Sequence, residues 1–139
     1  MDIQRQLRSL YARGNLLVRK FKKCSVDVKL QLFKSYCTNL YCAPLWCLYT
    51  MTMLNKLKVA YNNVFRSLMY VGRRGLSVAF LLYNVDSFKV VLRKAIFSFK
   101  KRLCKSANGV VANLINSMFF VTASKMNTVW TQALYREMS

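Results

Sequence analysis

"DIQRQLRSLYARGNLLVRKF", residues 2–21, carries the cleanest period in the chain. Ile3, Leu7, Leu10, Gly14, Leu17 and Phe21 step by four and three residues, so at about 100° per residue they share one helical stripe. Arg5, Arg8, Arg19 and Lys23 fall on the opposite face, with Asn15 beside them. The pattern predicts a helix with an apolar seam and a basic back. Gly14 lies inside the seam, where a missing side chain would let another backbone come close. Arg19, Lys20, Lys22 and Lys23 crowd against the end of the same seam. What these cations are meant to meet is the functional question.

Further along, Ser25 can cap a second helix over about Val26 to Tyr41. Val28, Leu32 and Tyr36 lie on one side of it and Leu30, Phe33, Cys37 and Leu40 on the other. A helix apolar nearly all round is expected to be central and buried. Pro44 bends or ends it before "LWCLY". A third helix follows Thr50 or Thr52, with Leu54, Leu57, Tyr61, Val64, Phe65 and Leu68 as its seam and Lys56, Asn63 and Arg66 pointing away. Gly72, Arg73, Arg74 and Gly75 form a basic turn, and a short apolar segment runs from Ser77 to Val85. Asp86 or Ser87 would cap a helix whose inner side is Phe88, Leu92, Ala95, Phe99 and Leu103, with Lys89, Arg93 and Lys100 outside. After Asn108-Gly109, Val110 to Phe120 reads as a less basic helix; beyond Val121 the pattern fades. With no period-2 alternation and no repeat, the class is all-α, five or six helices packed as a bundle.

The 139 residues suit one domain with a real core. A hydrophobic fraction of 55% argues against a disordered basic tail. Against 23 Lys and Arg stand 4 Asp and Glu, a formal charge of +19. Such an imbalance says little about fold and much about partners. Nucleic acid is the leading candidate, because it carries the densest negative charge; an anionic membrane surface and an acidic protein are the others. A run of lysines is usually only a solvated helix face. That reading fits interspersed acids, and here the basic faces are almost free of them.

The four carboxylates, Asp2, Asp27, Asp86 and Glu137, are never near neighbours, and histidine is absent. The chain therefore lacks the parts for histidine acid–base work, a Ser-His-Asp triad, a His-containing zinc site or adjacent carboxylates for two-metal phosphoryl transfer. No catalytic residue, metal ligand or cofactor is expected, and the chain alone is predicted inactive. Cys37, Cys42 and Cys47 recur every five residues, but a step of five turns each thiol by roughly 140° on a helix, so they diverge. With Cys24 and Cys104 they read as small buried hydrophobes of a reducing compartment, nuclear or cytoplasmic. The N-terminus has no secretory-signal pattern.

Two other readings compete. Ser35 to Asn55 holds no charged residue and is long enough for a bilayer span, but Pro44 and scattered polar residues interrupt it. Tyr41, Trp46, Tyr49 and Tyr61 could stack on bases, although their helical setting favours core packing. "GRRG" lacks both the Gly-Lys-Ser/Thr ending and the preceding strand of a phosphate-binding P-loop.

The order of motifs carries a resemblance. "DIQRQLRSLYARGNLLVRKFKKCSVDVKLQLFKSYC", then "LYCAPLW", "KLKVAYNNVFRSLM" and "VLRKAIFSFKKRL" are similar to the C-terminal part of reverse transcriptases of non-LTR (LINE-type) retrotransposons, just after the catalytic palm. The similarity covers about residues 2–103. It implies a helical, thumb-like region over 1–104 that grips the template–primer duplex, followed by a helical extension over 105–139. The family's palm signature, an aromatic residue before two adjacent aspartates, does not occur here. Asn15, Arg19, Lys20 and Phe21 match its "N..VRKF" element, and Tyr61, Asn62 and Arg66 its "VAYNNVFR" element. With the basic back and the turn, the expected nucleic-acid contacts are Arg5, Arg8, Asn15, Arg19, Lys20, Lys23, Asn62, Arg66, Arg73 and Arg74.

The expected partners are an RNA–DNA hybrid or duplex RNA and a palm domain absent from this chain. The alternatives are a basic membrane-associated helical protein using residues 35–55, or a non-functional remnant of the polymerase.

Overall fold

The computed structural model describes residues 2–40, 43–46, 49–117, 120 and 125–135. Seven α-helices stand among them and no strand: α1 (Asp2–Lys20), α2 (Val26–Cys37), α3 (Met51–Met69), α4 (Leu76–Leu82), α5 (Phe88–Cys104), α6 (Gly109–Asn116) and α7 (Lys125–Tyr135). The class is all-α, as read from the sequence, but the count of five or six was low. A seven-residue α4 is too short to display a period, and α7 falls where the pattern fades. Single 3-10 turns occupy Ala43–Leu45 and Arg73–Gly75.

The chain divides into two compact units, residues 1–41 with 49–91 and residues 42–48 with 92–139. The boundary between these units falls within α5, between Val91 and Leu92.

In the first unit α1 packs chiefly on α3 and also on α2. Ile3, Leu10 and Leu17 are buried, as the seam requires, while Leu7 and Phe21 are half-buried. Gly14 is the tight point. A Cβ built there would lie 2.6 Å from both Val64 methyl carbons and 3.1 Å from Val64 Cβ. The close approach expected at this glycine is real, but a side chain, not a backbone, fills the space. α1 ends at Lys20, where Phe21 N–H donates to the Leu17 carbonyl at 2.9 Å and the chain turns. Arg19 and Lys20 stand in its last turn, a favourable place for cations at the negative end of the helix dipole.

α2 departs from expectation twice. It stops at Cys37 instead of about Tyr41 because side chains take over its last carbonyls. Thr38 Oγ1 donates to the Lys34 carbonyl, Asn39 Nδ2 to the Ser35 carbonyl at 3.0 Å, and Arg13 Nη1 to the Tyr36 carbonyl at 2.7 Å. Nor is it central: Lys29, Leu30, Phe33 and Cys37 are buried while Val26, Val28 and Tyr36 are exposed. Ser25 holds the N-cap position, but its side chain makes no cap bond. Tyr41 lies outside the described residues.

α3 follows its predicted seam from Leu57 on: Leu57, Tyr61, Val64, Phe65 and Leu68 are buried, while Leu54 in the first turn is half-buried. Thr50 is its N-cap, accepting from the Met53 N–H at 3.3 Å. Tyr61 and Phe65 anchor a ring cluster: Phe33 lies 5.1 and 5.2 Å from them, Phe80 stands 4.7 Å from Phe65, and Phe88 stands 6.0 Å from Tyr61. Tyr70, just past α3, adopts the left-handed conformation at φ 55°. Its ring centroid lies 5.4 Å from the Lys29 ammonium, so the one cation buried among the described residues has an aromatic face beside it.

The second unit is built around Trp130, which is fully buried. Its Nε1 donates to the Pro44 carbonyl at 2.7 Å, and the Phe99 and Phe120 rings meet it edge-on at 5.7 and 6.2 Å. Trp46 and Ile96 are buried in the same unit. α5 starts from Ser87, whose carbonyl accepts from Val91 N–H at 3.0 Å. Its most buried positions are Phe88 and Val91, in the first unit, and Ile96 in the second; of the expected inner side only Phe88 is buried, and Leu92, Ala95, Phe99 and Leu103 are half-buried. α6 begins at Asn108, whose side chain accepts from Val110 N–H, and it ends at Asn116, short of Phe120.

Candidate nucleic-acid interface

Every expected contact residue lies in the first unit. On α1, Arg5, Arg8, Asn15 and Arg19 fall within an arc of about 80° centred away from the buried stripe. All four are exposed, as are Lys20 on the flank and Lys22 and Lys23. Lys23 corrects the sequence reading: the helix ends at Lys20, so Lys23 belongs to the following turn and not to the helical back. No carboxylate occurs from Ile3 to Val26. Over Arg8 to Arg19 this face extends about 16 Å along the axis.

Arg13, on the same helix, is not part of this face. Its guanidinium caps α2 through the Tyr36 carbonyl and also bonds the Ser9 carbonyl at 3.2 Å. It is a structural cation: it lies roughly 120–140° round the helix from Arg8 and Arg19, beside the buried stripe, where it reaches α2.

On α3, Asn62 and Arg66 are half-buried and not directed freely to solvent. Arg66 Nη2 donates to Asn63 Oδ1, and Asn63 Nδ2 donates to the Tyr11 hydroxyl at 3.3 Å. This chain of bonds ties Arg66 to α1. Tyr11 lies one turn from both Arg8 and Asn15, so Arg66 is brought to the border of the basic arc. The sequence reading missed Tyr11 and Asn63. The available signal was Tyr11's place at i+3 from Arg8 and i−4 from Asn15. Arg73 and Arg74 are exposed on their 3-10 turn, and no bond joins them to the α1 face.

Of the aromatics that could stack on bases, Tyr61 and Trp46 are taken up by packing. Tyr61 is fully buried and donates its hydroxyl to the Asp86 carbonyl at 2.7 Å, so it is no backbone contact, although it lies in a matched element. Burial, with Asp86 and Cys37 adding to it, pushes its pKa well above the ordinary tyrosine value. Trp46 is buried and Tyr49 half-buried; Tyr41 lies outside the described residues.

Of the cysteines, Cys37 is buried as expected, and burial pushes its thiol up to about 11 while Arg13 pulls it the other way. Cys24 is half-buried and Cys104 exposed, so those two are not core hydrophobes; Cys42 and Cys47 lie outside the described residues. All three described thiols are free, and no three metal-ligating side chains gather among the described residues. Residues 35–55 are shared among the end of α2, the Ala43–Leu45 turn and the start of α3. No helix among the described residues is long and apolar enough to cross a membrane.

Comparison with family models, with curated proteins and with solved structures returns no match.

Proposed function

We propose that the chain is a non-catalytic nucleic-acid-gripping module, a thumb-like portion of a non-LTR retrotransposon reverse transcriptase. The observation that carries this reading is α1. One side of the helix is locked into the core by Leu10, Gly14 and Leu17, and the other presents Arg8, Asn15 and Arg19 to solvent with no carboxylate among them. A basic face fixed on a rigid seam tracks phosphates whatever the sequence, because phosphate contacts position a duplex without reading its bases. A polymerase must accept every template, so such a face suits it. The ligand is an RNA–DNA hybrid or duplex RNA, recognised by backbone shape.

The same reading supplies a partner for apolar side chains that remain exposed, including Val28 and Tyr36 on α2 and Leu81 and Leu82 on α4. That partner is a palm domain, which would also bring the catalytic aspartates this chain lacks. The free thiols suit a reducing setting, nuclear or cytoplasmic.

The test is binding of a labelled hybrid across a salt series. With about five phosphates engaged, log K should fall against log salt with a slope of about −4 to −5. The double variant Arg19→Glu/Lys23→Glu should flatten the slope by about two units at unchanged helicity. A matched Lys125→Glu variant in α7 should leave it in place. Equal losses from both would mean diffuse cationic attraction and would overturn the reading.

A further inference from the structure

We infer that Arg8, Tyr11 and Asn15 of α1, together with Arg66 of α3, form a clamp for a single backbone phosphodiester. The inference rests on the nucleic-acid reading above and gives it a defined point of contact. Asn63 is its positioning residue. The Asn63 side-chain carbonyl accepts from Arg66 Nη2, and its amide donates to Tyr11 Oη at 3.3 Å, so both ends of the side chain are engaged. The Tyr11 oxygen acts as acceptor in that bond, which leaves its own hydrogen to donate. Arg66 keeps four of its roughly five N–H donors once Nη2 has given one to Asn63. Arg8 and Asn15, one turn to either side of Tyr11, are exposed.

What converges here is a set of donors and two positive charges with no carboxylate. The matching ligand accepts hydrogen bonds, donates none and carries a permanent negative charge. A phosphodiester has these properties. A protein carboxylate shares part of the chemistry, but the arc continues from Arg8 to Arg19 over about 16 Å, which suits a polyanion of regular charge spacing.

Fluorescence anisotropy of a labelled RNA–DNA hybrid over a salt series tests the clamp. Tyr11→Phe keeps the ring and removes the hydroxyl; affinity should fall about 2–10-fold with the salt slope unchanged, since no charge is lost. Arg66→Gln should weaken binding further and reduce the slope by about 0.9. The two together should lose less than the product of the single losses, because the hydroxyl acts partly by holding Asn63 against Arg66. Asn63→Ala should give a loss like that of Tyr11→Phe, again without a slope change, and reads the clamp from its other end. Wild-type affinity in both Tyr11→Phe and Asn63→Ala, or strictly multiplying losses, overturns the clamp. If Arg19→Glu/Lys23→Glu still flattens the slope in that case, the basic face stands and only the clamp falls; if it does not, both fall. Polyglutamate binding as tightly as hybrid, with the same sensitivity to Tyr11→Phe, overturns the phosphodiester assignment.

Discussion

Replacing Gly14 by alanine opposes two effects of known sign. In the middle of a helix the change should stabilise by about 1 kcal/mol, since alanine is the best helix former and glycine among the worst. Against it stands the contact with α3. The new Cβ would meet both Val64 methyl carbons at 2.6 Å, about 1 Å inside the ordinary ~3.5–4.0 Å separation of carbon atoms. Val64 cannot rotate out of the way: its χ1 has one strongly preferred state in a helix, and the 3.1 Å Cβ–Cβ distance does not depend on χ1 at all. The helices must part, at a cost of about 1–3 kcal/mol for an overpacked core.

The steric cost should win. Gly14→Ala is expected to destabilise by about 1 kcal/mol on balance, lowering Tm by roughly 3–8 °C. The exposed neighbour Ser9→Ala should be neutral or slightly stabilising. Val64→Ala alone should cost about 2 kcal/mol from two lost methyl groups and the void they leave. The double variant should recover at least about 1 kcal/mol relative to the sum, because the two changes share one volume. Urea unfolding followed by circular dichroism reads all four. A Gly14→Ala protein more stable than wild type, or strict additivity with Val64→Ala, would refute this account of the α1–α3 contact.

Tyr61→Phe should destabilise by about 1–3 kcal/mol in the same urea assay, since it strips the Asp86 carbonyl of its buried donor. Trp130→Ala should cost about 3–5 kcal/mol, read as early loss of protection in hydrogen exchange over α7. Cys37 ties stability to alkaline pH: burial lets its folded thiol hold its proton up to about 11, above the ordinary thiol value of 9.0. Its contribution is therefore complete below pH 9 and disappears between about pH 9 and 11, by roughly 2–3 kcal/mol. A Cys37→Ala protein should show a shallower alkaline decline over that interval; parallel curves would contradict the burial of this thiol. Finally, a clean preparation with Mg²⁺ or Mn²⁺ should show no template-dependent nucleotide incorporation.

Periodicity alone determined a good part of this molecule. The α1 and α3 seams were legible because each is a long amphipathic helix whose apolar residues recur at three and four, and burial follows that geometry directly. The outward set of Arg5, Arg8, Asn15 and Arg19 was legible for the same reason: whatever opposes a buried stripe faces solvent. Tertiary structure decided the rest. The end of α2 depends on Arg13 reaching across from another helix, and a sequence pattern carries no record of a side chain that caps a distant carbonyl. The inner face of α5 and the core position of Trp130 depend on which neighbours arrive, because a helix with apolar residues on several sides can bury any of them. Arg66 looked like a free cation until Asn63 and Tyr11 tied it to α1, 52 residues separating those two partners in the chain. Local spacing fixes which residues share a face of one helix; only packing sets which faces meet, and so which cations stand together and which are spent holding the fold.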